Sequence, residues 1–300
     1  MAGRECSPKV VELDGPFSHE LLHTRGLRLH ATTAGDPADP LVLFLHGAFG
    51  GWFDYAEAIA PLAQRGFHVA ALDMRGYGMS DKPSQRGGND MLLALGDVKG
   101  AITALGHRTC VLVGADAGGS VAWAFAAAYP DLLTGLVSIS AAHPADMRAA
   151  MRAKPWDFLP LITRVVLRHP PRSGTVRARV YRRALQFDTS PAFHRTPAFR
   201  ETLQLRLRSA EIPHCLPYAR AYSRLLVHRA PAGEVTAPTL LLHPPLGLWG
   251  PLLTRQRRRL RGPVTVSAIE GTKNLPHIEA PAAFAEAVAR FATPLRPAAS

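Results

Sequence analysis

The sequence predicts an α/β fold, with a mostly parallel central sheet, helices on both faces and a helical cap inserted late in the chain. Three observations carry this. Short, continuous apolar runs alternate with stretches of helical periodicity, as in a sheet buried on both faces. Glycine-rich turns close several of those runs. The alternation then stops between residues 144 and 232 and resumes, the pattern of an insertion over the carboxyl ends of the strands, where such sheets bind ligands.

The elements follow in order. Glu20–His23 and Leu27–Thr33 read as two strands around a turn at Gly26. Leu41–Leu45 is an apolar strand bounded by Pro40 and a Gly-rich loop, and a helical stretch from Trp52 to Gln64 leads to a second apolar strand, His68–Leu72. Asp90–Leu105 is helical in pattern, Thr109–Val113 is a third buried strand, and Gly118–Tyr129 continues as a helix into the strand Leu136–Ile139. After the interruption come Thr239–Leu242 (strand), Leu253–Leu260 (helix), Val264–Ile269 (strand) and Pro281–Ala292 (helix). The expected organisation is a core built from residues 1–143 and 233–300, with 144–232 as the cap.

The N-terminal stretch from Met1 to Gly15 mixes charges and prolines and does not read as a signal peptide, and no run of eighteen apolar residues suggests a membrane span. Cys6, Cys110 and Cys215 are scattered and form no CxxC pair, which points to reduced thiols in a cytoplasmic protein and away from structural zinc. Neither a metal nor an organic cofactor is expected.

The formal net charge of +12 is concentrated in one place. Between Pro144 and Ala232 there are 17 Lys and Arg against 5 Asp and Glu, so the cap alone carries the excess. Arg255, Arg257, Arg258, Arg259 and Arg261 form a second basic cluster outside it. Three explanations stay open: a solvated helical face, a surface for an acidic protein or anionic lipid, and nucleic acid. Nucleic acid is the least favoured, because no recognised nucleic-acid module is present.

Chemistry concentrates at the strand ends. Gly114-Ala115-Asp116-Ala117-Gly118 follows an apolar strand and opens a helix, which is the context of a nucleophile elbow with aspartate at its centre. An Asp that merely caps the helix is the competing explanation. Upstream, His46-Gly47-Ala48-Phe49 ends the first buried strand. Backbone N–H groups there, together with that of Ala117, are candidates for an oxyanion hole. Asp73-Met74-Arg75-Gly76-Tyr77-Gly78-Met79-Ser80-Asp81-Lys82-Pro83 closes the second.

These motifs, in this order and spacing, resemble the cap-bearing epoxide hydrolase and haloalkane dehalogenase branch of the α/β-hydrolases. Ala141-Ala142-His143-Pro144 resembles that branch's approach to its cap, and the likeness extends in outline to Phe291. The resemblance implies an aspartate that attacks carbon to form an alkyl-enzyme ester, and a histidine, supported by a second carboxylate, that activates water to hydrolyse it. Asp116 takes the nucleophile position. Aligned on Pro276, His277, Glu279 and Pro281, the histidine position holds Asn274, which leaves His277 as an alternative base.

The acid position falls in Leu241-Leu242-His243-Pro244-Pro245-Leu246-Gly247-Leu248-Trp249, where Gly247 replaces a carboxylate. Asp146 and Glu270 are the nearest acids by sequence, and both read as surface residues. Of the two cap tyrosines that the resemblance implies, Ser223 occupies one slot with Tyr222 beside it. Tyr181 reads as a solvated residue among arginines. The expectation is an epoxide hydrolase-like chain with its nucleophile kept and its base and acid degenerate, binding a small apolar ligand or a partner at a pocket that includes Ala48, Phe49, Ala117 and Tyr222. The alternative is an active hydrolase of epoxides or related small molecules that uses His277 or another base.

Overall fold

A computed structural model describes residues 6–84, 90–159, 174–244 and 249–296. Eight strands form one sheet in the order β1-β2-β4-β3-β5-β6-β7-β8. They are β1 (Ser18–Thr24), β2 (Leu27–Ala34), β3 (Leu41–Leu45), β4 (His68–Leu72), β5 (Cys110–Ala115), β6 (Leu133–Ile139), β7 (Thr239–Leu242) and β8 (Val264–Ser267). β1 and β2 pair antiparallel, as do β2 and β4, and every pairing from β4 to β8 is parallel. Arg25 (φ 49°) and Gly26 (φ 78°) make the β1–β2 hairpin turn, which needs two successive left-handed residues.

The middle strands are buried on both faces because helices cover each side. Leu41, Leu43 and Leu45 of β3 and Leu112 of β5 face one core with helices α2 (Asp90–Ala104) and α3 (Asp116–Ala128). Val42, Phe44, Val111 and Val113 face the other, with α1 (Ala56–Ala63) and α10 (Pro281–Ala292). The period of two in these strands therefore divides two cores rather than core from solvent. Truncating Phe44, fully buried and stacked on Tyr55 at 4.5 Å between ring centroids, costs about 3–5 kcal/mol by this logic.

Between β6 and β7 the described chain is helical: α4 (Pro144–Ala153), α5 (Gly174–Asp188), α6 (Pro197–Glu211) and α7 (Cys215–Ser223). Then follow α8 (Trp249–Arg259) and the single turn α9 (Pro276–Glu279). Proline opens α4, α6, α9 and α10, where its missing N–H costs nothing and its fixed φ suits the helix. Thr196 caps α6 by accepting from Phe199 N–H at 3.2 Å, and His143 Nδ1 does the same for α4 from Ala145 N–H at 3.2 Å.

Two ion pairs tie these helices to neighbouring elements. Arg206 of α6 holds Asp54 by two bonds, Nε donating to Oδ1 at 3.3 Å and Nη2 to Oδ2 at 2.9 Å, and both side chains are buried. Arg259 of α8 holds Asp146 of α4 in the same two-armed way, at 3.0 and 3.1 Å. Asp146, expected as a plain surface residue, is thus an inter-helix tie. Among the described residues no helix is long and apolar enough to cross a membrane.

Candidate functional site

The carboxyl ends of β3, β4 and β5 bring three loops together. At the tip of β5, Asp116 adopts φ 51°, a left-handed conformation that a side-chain-bearing residue holds only when its surroundings impose it. The imposition is visible. A Cβ on Gly114 would meet Gly118 O at 2.5 Å, and one on Gly118 would meet the carbonyls of Leu45 and His46 at 2.5 Å. The small residues around Asp116 therefore permit close packing of helix on strand, as the motif requires.

The Asp116 carboxylate accepts from the backbone N–H of Ala48 at 2.9 Å through Oδ2. Gly47 lets this loop approach, since a Cβ there would lie 3.1 Å from the same oxygen. Ala117 follows as the next residue of α3 and is fully buried. Asp116 also sits in the first turn of α3, where the helix N-terminus favours negative charge.

His46 is structural. Its Nδ1 lies 2.8 Å from Gly47 O and its Nε2 accepts from Met74 N–H at 3.1 Å, which places the proton on Nδ1. Burial lowers its pKa and keeps the ring neutral.

Two tyrosines pack around the loop that holds Asp116. The Tyr77 hydroxyl donates to Ala48 O at 2.9 Å, so Tyr77 positions the loop that holds the carboxylate. Tyr222 of α7 lies with its ring 5.5 Å from Tyr77 and 5.6 Å from His46. It is buried, and its hydroxyl makes no hydrogen bond among the described residues. Burial, with Asp116 and Asp97 adding negative potential, raises its pKa well above the usual phenol value, so it remains a proton donor.

Tyr181 corrects the sequence expectation. It is buried, not solvated, and packs edge-on against Phe49 at 4.8 Å. On α5 it shares an inner face with Leu185, four residues on, while Arg182 and Arg183 point outward. Tyr77 and Tyr222 form one aromatic cluster with His46, the Tyr77 and His46 rings lying 4.5 Å apart.

The base position is filled differently. Asn274 Oδ1 accepts from the indole N–H of Trp249 at 3.0 Å, and its Nδ2 donates to Asp188 Oδ1 at 3.3 Å. Its backbone N–H also donates to Asp188 O at 2.9 Å. Glu279 completes the clamp by accepting from Lys273 N–H at 2.8 Å and Ser190 N–H at 2.7 Å. The loop carrying position 274 is thus fastened to the end of α5. The sequence gives no role to Asp188 or Trp249, because no motif links residues 86 and 25 positions away to Asn274.

His277 is fully enclosed, stacked on Tyr55 at 4.6 Å, and among the described residues neither ring nitrogen has a hydrogen-bond partner. Burial, assisted by the Arg206 cation, pushes its pKa down to about 3. It makes no hydrogen bond to Asp116. The stretch from Pro245 to Leu248, with Gly247 at the acid position, lies outside the described residues. Glu270 is exposed.

A positive-φ aspartate at a strand–helix turn, on this strand order, defines the α/β-hydrolase architecture. The chain belongs to the α/β-hydrolase fold family, whose pattern it matches over residues 40–288. Among curated relatives it is 34% identical to epoxide hydrolase 3 of Xenopus tropicalis over 176 residues, 55% of this chain and 48% of that one. It is 39% identical to epoxide hydrolase B of Mycobacterium tuberculosis over 124 residues, 41% of this chain and 35% of that one. The match therefore spans about half or less of those relatives. Epoxide hydrolase A from Mycobacterium thermoresistibile shares the fold at TM-score 0.70 and 24% identity, with 92% of this chain and 98% of that one covered. A putative acyltransferase from Salmonella enterica does so at TM-score 0.72 and 22% identity, over 93% and 96%. The chain is epoxide hydrolase-like, on a fold that serves more than one chemistry.

Proposed function

We propose that this epoxide hydrolase-like chain captures a small apolar electrophile, an epoxide above all, at Asp116 and does not release it by efficient hydrolysis. It acts as a ligand-binding protein beneath a cap formed by the helices of residues 144–232. The observation that carries this is the occupation of position 274: an asparagine whose side chain is committed to Trp249 and Asp188.

Capture needs only a carboxylate nucleophile and a proton donor. An Asp116 carboxylate oxygen attacks an epoxide carbon, the ring C–O bond breaks, and the departing oxygen takes the proton of the Tyr222 hydroxyl. Ala48 N–H holds the second carboxylate oxygen. Release needs a base to activate water, a contribution of roughly 10²–10⁴-fold. Asparagine cannot accept that proton near neutral pH, and an unpartnered imidazole with pKa about 3 is a weak base.

The test is incubation with styrene oxide, followed by intact mass and diol measurement. One adduct per chain, lost in Asp116→Ala, is expected, with little diol. Many diol molecules per chain favour the active hydrolase, and the absence of both adduct and diol overturns capture.

A further inference from the structure

We propose that the end of α4 and the turn after it dock on an anionic lipid membrane, with Trp156 and Leu159 entering the headgroup layer and the surrounding cations meeting lipid phosphates. The argument starts from Lys154-Pro155-Trp156-Asp157-Phe158-Leu159. α4 stops at Ala153, and Pro155–Phe158 forms a single 3-10 turn. Phe158 points inward, packed with Met147, Ala150, Trp249 and Leu252. A turn anchored on Phe158 throws its neighbours outward: Trp156 is 81% exposed and Leu159 49%.

The other three tryptophans, Trp52, Trp123 and Trp249, are buried. A solvated indole forfeits the burial of a large apolar surface. An indole has an apolar body and one N–H, the combination that suits a membrane–water interface.

Cations surround this tip. Arg152 and Lys154 are exposed beside it, and Arg229 is exposed nearby. Arg148 donates to the carbonyls of Val227 and His228, which draws the stretch before Arg229 against α4. Burial and the like charges of Arg152 and Arg229 disfavour the charged form of Arg148, a sign of unbalanced positive potential. The Arg259–Asp146 pair lays α8 alongside α4 and brings Arg255, one turn before Arg259, to the same side. Part of the second basic cluster thus lies beside α4. Asp146 is already paired, leaving Asp157 as the acidic neighbour within the turn.

The apolar part favours lipid over protein. Two exposed side chains make far less than the ~1,200–2,000 Å² of a stable protein interface. Beside a membrane, each basic residue strengthens partitioning about fivefold and the indole adds its burial.

The experiment mixes the full chain with vesicles of phosphatidylglycerol and phosphatidylcholine in equal parts, and with phosphatidylcholine alone. Co-sedimentation and tryptophan emission are the readouts. Expected are binding and a blue shift with the anionic vesicles only, both reversed at ~0.5 M salt. Since the other indoles are already buried, Trp156→Ala removes the shift. Arg152→Gln/Lys154→Gln/Arg229→Gln, all exposed positions, weakens partitioning on the order of a hundredfold. Three results overturn the proposal: no preference for anionic vesicles, unchanged partitioning of the triple variant, or equally tight binding of polyglutamate without any need for Trp156, which would mark an acidic-protein surface instead.

Discussion

The side chain of Asn274 lies between two partners, accepting from Trp249 Nε1 at 3.0 Å and donating to Asp188 Oδ1 at 3.3 Å. The orientation of its amide is fixed by chemistry, because an indole N–H only donates and a carboxylate only accepts.

The same pair governs what a histidine would do there. In Asn274→His, Trp249 would donate to one ring nitrogen and force the proton onto the other, which Asp188 would hold. Neither nitrogen then remains for water. The single variant is expected to gain less than about tenfold in diol formation, although a working base supplies roughly 10²–10⁴-fold. Adding Trp249→Phe frees one nitrogen while Asp188 supports the other, and the double variant is expected to gain on the order of 10²-fold. Equal turnover by the single and double variants would contradict this account, as would full activity in the single one.

His277 makes the fold sensitive to acid. Its folded pKa, about 3, lies below the unfolded value near 6.5, so between these limits the unfolded chain binds the extra proton. Stability is therefore retained above about pH 6.5 and is lost as pH falls toward 3. His143, pushed down to about 4 chiefly by burial, acts in the same direction. His277→Phe, which keeps a ring against Tyr55, is expected to flatten the dependence by up to about 1.4 kcal/mol per pH unit between pH ~6 and ~5. Guanidinium denaturation of both proteins across that interval measures it. Parallel slopes would place the titrating groups elsewhere.

The Arg206–Asp54 pair predicts an asymmetry. Its two side chains are 6% and 1% exposed, so removing one leaves an uncompensated buried charge. Arg206→Leu is expected to cost about 3–5 kcal/mol, and Arg206→Leu/Asp54→Leu distinctly less. Denaturation midpoints of the two variants decide this. A double variant as weak as the single one would mean that shape, rather than charge, sets the loss.

How much of the molecule is legible in its sequence depends on the range of the interactions. β3, β4 and β7 have the bounds read from sequence, because runs such as Leu41–Leu45 are apolar throughout and stop at turn residues. Asp116 is legible because its elbow is local. Tyr181 is misread from its arginine neighbours although a signal exists: its spacing of four from Leu185 outweighs them. The Asn274–Asp188 and Arg206–Asp54 contacts have no local signal. They join residues 86 and 152 positions apart and exist only once the helices after β6 pack down.

Glycine makes the final test of the elbow, since two glycines of this chain should answer substitution with opposite signs. A methyl on Gly118 would meet the carbonyl oxygens of Leu45 and His46 at 2.5 Å. Both are backbone atoms of β3 and the loop that holds Asp116, so relief requires α3 to move off the sheet. Gly118→Ala is expected to cost about 3 kcal/mol or more and to abolish adduct formation at Asp116. Gly250, in α8, has no positive φ, and among the described residues a methyl placed on it would meet nothing within 4 Å. There Ala removes backbone freedom from the unfolded chain, and Gly250→Ala is expected to stabilise by about 0.5 kcal/mol. Thermal and guanidinium unfolding of both variants compare the two. A mild effect at Gly118 would show that the elbow is not packed as tightly as the positive φ of Asp116 demands.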